Sequence, residues 1–355
     1  GFEGANEQFS ISPTVFGRLD REQPGSDFEY LLSYSGRWSD DYRLGNGDDL
    51  DNSSDDINSG LAKFVWRLDD QTTLKFGTMH FNDDQEVPPN TATTDPDVVD
   101  RNTLQSLYNL EFSHYNNELE WLNLEGNIYF NNVDVEEDRI SDGRREEIEF
   151  QTFGLDIRNR QYFDFDEANR LTITYGFEFF RDTQDGARDA GENVFFPDGK
   201  SDHFAGYFQA EFSLFDELIT IIPGVRVDHV DSSDDDGGGN TDSHVSPKVG
   251  GVVKLDDELN LAEGDYVALT ANYAHGFRSP TFSELFASGT HFPGSIFAPN
   301  TSLEPETSDT WEAGARARFG GILVRGAYFE TYADDFIDLD VDFIPPGGPL
   351  VFTPV

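Results

Sequence analysis

For most of its length the chain alternates apolar and polar residues one by one. Between Leu171 and Phe180, the residues Leu171, Ile173, Tyr175, Phe177 and Phe179 fall on one face, and Thr172, Thr174 and Glu178 fall on the other. A period of two belongs to a β-strand, whose side chains point to opposite faces in turn. Leu122, Leu124, Ile128 and Phe130 alternate in the same way with Asn123, Glu125 and Asn127, and Trp311, Ala313, Ala315 and Phe319 with Glu312, Arg316 and Arg318. Such stretches recur at 8–11, 13–20, 27–36, 61–68, 71–81, 103–114, 119–130, 147–161, 171–180, 203–214, 217–230, 244–255, 265–275, 307–319 and 322–333. The first two read as one strand interrupted near Pro13, which predicts about 14 antiparallel strands and an all-β fold.

The connections alternate as well. Short ones such as residues 21–26, Asp69-Asp70, residues 215–217 and Gly320-Gly321 are each followed or preceded by a long one, at 37–60, 82–102, 131–146, 181–202 and 231–242. Half-exposed soluble sheets also alternate apolar and polar residues. A transmembrane barrel, with short turns on one side and long loops on the other, predicts the connection pattern, whereas a soluble sandwich has no reason to keep it. The expected architecture is therefore an antiparallel transmembrane β-barrel, lodged in outer-membrane lipid.

Composition narrows this further. Aromatic residues make up 14%, with 32 Phe and 13 Tyr against one Met, which favours strands over helical bundles. No run of about 18 apolar residues is present, and mean hydropathy is -0.54; this excludes a membrane helix but leaves a barrel open, because half of each barrel strand is polar. With no cysteine, disulfides, thiolate zinc sites and thiol nucleophiles are excluded. A formal charge of -45 repels nucleic acid. No nucleophile elbow, Walker loop or HExxH motif stands out, so no enzyme activity and no catalytic cofactor are expected. The opening GFEGANEQFS has neither a charged n-region nor an apolar core, and reads as part of a longer chain.

The longest connection lies at 276–307. It contains Gly276-Phe277-Arg278-Ser279-Pro280, then Glu284-Leu285-Phe286, then Asn300-Thr301-Ser302-Leu303-Glu304-Pro305-Glu306-Thr307. This block resembles the FRAP and NPNL-KPE elements of TonB-dependent outer-membrane receptors, in the haem and haemoglobin branch. Ser279 stands for the family's Ala, and Thr301 and Ser302 for its second Pro and Asn. Residues 151–160, 175–186 and 223–230, followed by Ser246-Pro247-Lys248, look like barrel strands of the same family; the part before Gln151 matches only in style.

The resemblance implies a barrel of about 22 strands around an N-terminal plug. Residues 1–355 would be a partial barrel without the plug, and 276–307 a long extracellular ligand-binding loop. It further implies import of haem, free or from a haem protein, into a Gram-negative bacterium. The TonB-ExbB-ExbD complex would drive it through the plug. A ferric-siderophore receptor is the alternative, and a passive porin a more distant one. His291, between the two motif halves, corresponds to a histidine that binds haem iron axially in similar receptors, so it is the candidate ligand and the one metal contact, with Phe286, Phe292 and Phe297 as rings against the porphyrin. The family's second histidine ligand lies on the plug. Phe277, Arg278, Ser279, Pro280, Asn300, Leu303, Pro305 and Glu306 are expected to be structural, Arg278 pairing with Glu306 across the loop base and Pro280, Pro299 and Pro305 fixing its angles. His229 and His244 read as surface histidines. The acidic runs at 48–56 and 231–239 lack EF-hand spacing and read as solvated loops.

Overall fold

The computed structural model describes residues 2–3, 7–20, 26–87, 98–116, 118–119, 121–189, 191–255, 259, 261–262, 264–290, 295–343 and 350–355. Its main body is one antiparallel meander. In chain order the strands are β1 (Gln8–Ile11), β2 (Thr14–Asp20), β3 (Asp27–Ser39), β4 (Asp55–Arg67), β5 (Thr72–Val87), β6 (Val99–Tyr115), β7 (Asn123–Arg139) and β8 (Arg145–Asp164). There follow β9 (Arg170–Arg188), β10 (Gly199–Leu214), β11 (Ile219–Asp234), β12 (Gly239–Lys254) and β13 (Tyr266–Arg278). The helix α1 (Phe282–Phe286) and the short β14 (Ser295–Phe297) precede β15 (Glu306–Phe319), β16 (Ile322–Asp334), β17 (Leu339–Phe343) and β18 (Leu350–Pro354).

β1 and β2 keep one register against β3, with Ile11 opposite Gly36 and Thr14 opposite Ser33. They are one strand, and Pro13, which lacks an N–H, sits where its carbonyl still accepts from Tyr34 N at 3.0 Å. Setting aside two-residue pieces and the small sheet of β14, β17 and β18, 14 strands pair with their sequence neighbours. Among the described residues β16 pairs only with β15, and no ladder joins it to β1 or β2. Among the described residues the body is thus a partial barrel wall that does not close on itself, as the resemblance implied.

The two faces separate cleanly. Ile157, Phe177, Gly206, Val227 and Val245 form one row across five strands, and its large side chains are about half exposed. One residue along, the row Asp156, Glu178, Ala205, Asp228 and His244 points to the opposite face, where Arg226 donates to Glu178 (3.1 Å) and Asp228 (2.8 Å). Apolar groups on one side and paired charges on the other are what a wall between lipid and a wet interior requires.

The strands run well past the apolar band. Connections expected at 131–146 and 231–242 shrink to 140–144 and 235–238, because β7, β8, β11 and β12 continue pairing through polar residues such as Glu136 opposite Glu147 and Ser233 opposite Gly239. A backbone ladder needs no apolar side chains, so the strands outlast their sequence signal. At the other end Gly320 takes φ 57°, the left-handed region glycine enters without a Cβ penalty, and closes the two-residue turn between β15 and β16.

Candidate functional site

The stretch between β13 and β15 is a folded loop with its own small core. Thr281 caps α1: its hydroxyl accepts from Glu284 N, and the Glu284 carboxylate accepts from Thr281 N at 2.7 Å, a reciprocal capping box. The helix then buries Leu285 and Phe286 against Leu303, with Phe282 and Ile337 packed around them. Leu285 is wholly inaccessible.

Arg278 closes the base. Its guanidinium donates to both Glu306 oxygens at 2.7 Å and to both Glu284 oxygens at 2.8 and 3.1 Å, so one planar fork ties the end of β13 to the start of β15 and to α1. Glu306 also accepts from Ile337 N at 3.0 Å. These donors, Arg278 foremost, pull the Glu306 pKa from 4.5 to about 2. Burial alone would raise Glu284, but Arg278 and Thr281 hold it below the usual range. The clamp lies further along the β13–β15 ladder than the aromatic pair Tyr273 and Trp311, whose ring centroids are 4.3 Å apart.

Other contacts seat the loop on the wall. Ser279 Oγ donates to Asp242 at 3.1 Å, and Asn240 Nδ2 donates to the carbonyls of Thr301 and Leu303, both at 3.1 Å. Asn300 Oδ1 accepts from Ser302, while its Nδ2 donates to the Pro354 carbonyl at 2.9 Å. Gly289 and Phe297 exchange both backbone hydrogen bonds, so the segment containing His291 begins and ends at a closed bridge. Gly289 has φ 78°, and a Cβ there would meet Val194 Cγ2 at 2.5 Å. Phe297 stacks on Phe352 at 5.2 Å and edge-on to Phe195 at 5.2 Å, while β14 runs parallel to β18.

The loop covers the polar face. Ser279–Ser283 and the wall residues Gln151, Asp182, Gln184 and His203 line a cleft of about 480 Å³. His203 stacks on Phe180 at 4.1 Å beside it. Pro280 is buried, and Phe277 stacks on His244 at 4.5 Å.

Of the residues singled out from sequence, Phe277, Arg278, Ser279, Pro280 and Glu306 stand at the loop base, Leu303 enters the loop's core, Asn300 ties it to Pro354, and Pro305 immediately precedes Glu306. Phe286 is 3% exposed, committed to the loop's core with almost no face left for a ligand. Phe297 is half-buried in its aromatic cluster. His291 and Phe292 lie outside the described residues. Sequence reasoning missed Glu284, the third member of the clamp, although its spacing from Thr281 is the capping-box signature. It also missed Asn240, Phe195 and Phe352, which reach the loop from distant segments and carry no local signal.

A 14-strand antiparallel wall, apolar outside and charged inside, with a loop clamped at its base over the inner face, is the architecture of an outer-membrane type β-barrel. The chain belongs to the family of TonB dependent receptor-like β-barrels, matched over residues 34–354. It is 28% identical over 357 residues to a hemin receptor of Yersinia pestis, covering 95% of this chain and 50% of that protein. A heme/hemopexin utilization protein C of Haemophilus influenzae is 24% identical over 371 residues, covering 84% and 48%. The chain thus spans about half the length of the curated relatives it matches. In fold it is similar to a double mutant of the Serratia marcescens hemophore receptor HasR, solved with its hemophore HasA and heme, with a TM-score of 0.76, 18% identity, and coverage of 99% of this chain and 60% of that one.

Proposed function

We propose that this chain is the ligand-capturing part of the barrel of a TonB-dependent receptor that imports haem across the outer membrane of a Gram-negative bacterium. The observation that carries the reading is the clamped loop: an Arg278–Glu284–Glu306 base and a backbone bridge between Gly289 and Phe297 fix the described residues on either side of His291, and Ser279–Ser283 line a cleft against the polar face. Relatives named as hemin receptors over nearly the whole chain support haem as the cargo.

In this reading His291 binds the iron from outside. Neutral imidazole is a nitrogen donor suited to iron, and rings from Phe292 and the exposed edge of Phe297 cover the porphyrin. A second ligand comes from a plug outside this chain. The TonB-ExbB-ExbD complex, acting on that plug, then admits haem along the charged inner face. No step of this process breaks a covalent bond of the cargo, so the chain's residues bind and orient and do not catalyse.

The test is growth of a haem-uptake-deficient strain on haemin as sole iron source. The full-length receptor should restore growth and His291→Ala should not, while both reach the outer membrane equally. Equal growth of the two would remove His291 from the site, and growth of neither would remove haem as cargo.

A further inference from the structure

Next to the loop base, the ladder between β12 and β13 stops at Lys248 opposite Ala274, although both strands continue. In the gap that opens beyond it, His244 and His275 bring their Nε2 atoms to 2.8 Å, with ring centroids 4.9 Å apart. The two nitrogens face each other across one N–H···N hydrogen bond, so a single small movement would leave both lone pairs available to one cation.

The second nitrogen of His275 fixes which tautomer is present. His275 Nδ1 lies 2.9 Å from Asp309 Oδ1, and Asp309 also accepts from the Tyr273 hydroxyl at 2.7 Å. A carboxylate only accepts, so Nδ1 carries the proton and Nε2 presents its lone pair toward His244. A carboxylate behind the imidazole is the arrangement that orients histidine ligands of metals and raises their basicity. Opposite His244 in register, Asp228 is 8% exposed, and its Oδ2 has no hydrogen-bond partner among the described residues.

We propose that His244 and His275 form a site for a borderline divalent transition cation, of which Zn²⁺ is the representative, clipping β12 to β13 where their backbone pairing ends. Paired imidazoles suit zinc, copper or nickel and are poor ligands for calcium or magnesium. A tetrahedral cation with bonds of about 2.0–2.1 Å needs its two nitrogens about 3.3 Å apart, so on binding the rings separate by about half an ångström and pivot to aim both lone pairs at the cation. No ladder hydrogen bond across the gap opposes that movement. His244 now donates its Nε2 proton to His275; on binding, that proton moves to His244 Nδ1 and no proton is released. No three His, Asp or Glu are gathered at ligating distance among the described residues, so water completes the coordination and Asp228 Oδ2 supplies a buried acceptor for it. The clip lies three residues before Arg278 and steadies the strand from which the loop springs. It rests on this geometry and not on the haem reading.

The test uses the full-length receptor in detergent, with excess calcium to occupy acidic loop tips. Zn²⁺ is titrated calorimetrically and Co²⁺ followed by its visible absorption. One equivalent should bind, His244→Gln and His275→Gln should each abolish that site, and Asp309→Asn should weaken it by about 10–100-fold. Heat-modifiable electrophoretic mobility checks that every variant remains a folded barrel. No saturable binding in the wild type, or equal binding in folded Gln variants, overturns the site; wild-type affinity in Asp309→Asn overturns the orienting role. Haemin binding measured on the same samples fails or succeeds separately.

Discussion

Replacing Leu285 with alanine should open the loop without loosening the barrel. Leu285 is fully buried, and its neighbours Phe286, Leu303, Phe282 and Ile337 all belong to the loop or to the segment just after β16. Truncating a buried leucine costs about 2–5 kcal/mol, the spread depending on how far the surroundings collapse into the space. Three buried side chains make a thin core that relaxes readily, so about 3 kcal/mol is the reasonable figure. Each 1.4 kcal/mol is tenfold, so the loop's opening equilibrium should rise roughly 100-fold. The wall is held by ladders that Leu285 does not touch, and local opening of this kind leaves separately stabilised regions protected. Hydrogen–deuterium exchange on the full-length receptor reads both at once. Peptides from 279–305 should exchange roughly 100-fold faster, while those from β8 to β11 keep their wild-type rates. Loop exchange within a few-fold of wild type, or parallel loss of protection in the strands, would refute the idea of an independent loop core.

The clamp makes two further predictions. Arg278→Lys keeps the charge but cannot fork to two carboxylates, so protease cleavage within the loop should rise roughly tenfold, the modest size expected of partly exposed charge-assisted bonds; unchanged cleavage would mean the guanidinium geometry is unimportant. On acidification the clamp and the loop tips should respond in opposite directions. Glu306 has its pKa depressed by Arg278 to about 2, so its contribution is present above the ordinary 4.5 and is lost only as pH falls through about 2. Asp100, raised by burial and by Asp84 and Asp138, and Asp185, raised by burial and by Asp198, destabilise when ionised, and that repulsion disappears as pH falls through their raised values. Pepsin digestion should therefore find the tips more protected on mild acidification while the loop base holds down to about pH 2; a base that opens near 4.5 contradicts the assignment.

What could be read from sequence follows from which physical constraint acts at each place. The alternation of Leu171 to Phe179 or Leu122 to Phe130 is imposed by lipid on one side and water on the other, so it located the wall and its strand count. Beyond the lipid that constraint ends, and Arg145–Glu149 or Gly239–Ser243 continue a ladder with no pattern to announce it. The loop motif located the clamp residues Arg278 and Glu306, but the one-turn helix between them is too short for helical periodicity, and Glu284 was recognisable only through its spacing from Thr281. Phe286 carried the aromatic character expected of a ligand contact, yet the same property suits it to the loop core, and sequence cannot tell the two apart. His244 and His275 are 31 positions apart and meet only because two strands stop pairing, an event no local pattern encodes.

The measurement closest to the central claim is a haemin titration of the intact receptor in detergent, followed by Soret absorbance, for the wild type and His291→Ala. The account predicts a saturable Soret shift in the wild type that is lost or strongly weakened in the variant, with the barrel still folded. A wild type that gives no shift, or a variant that gives the same shift, would contradict it.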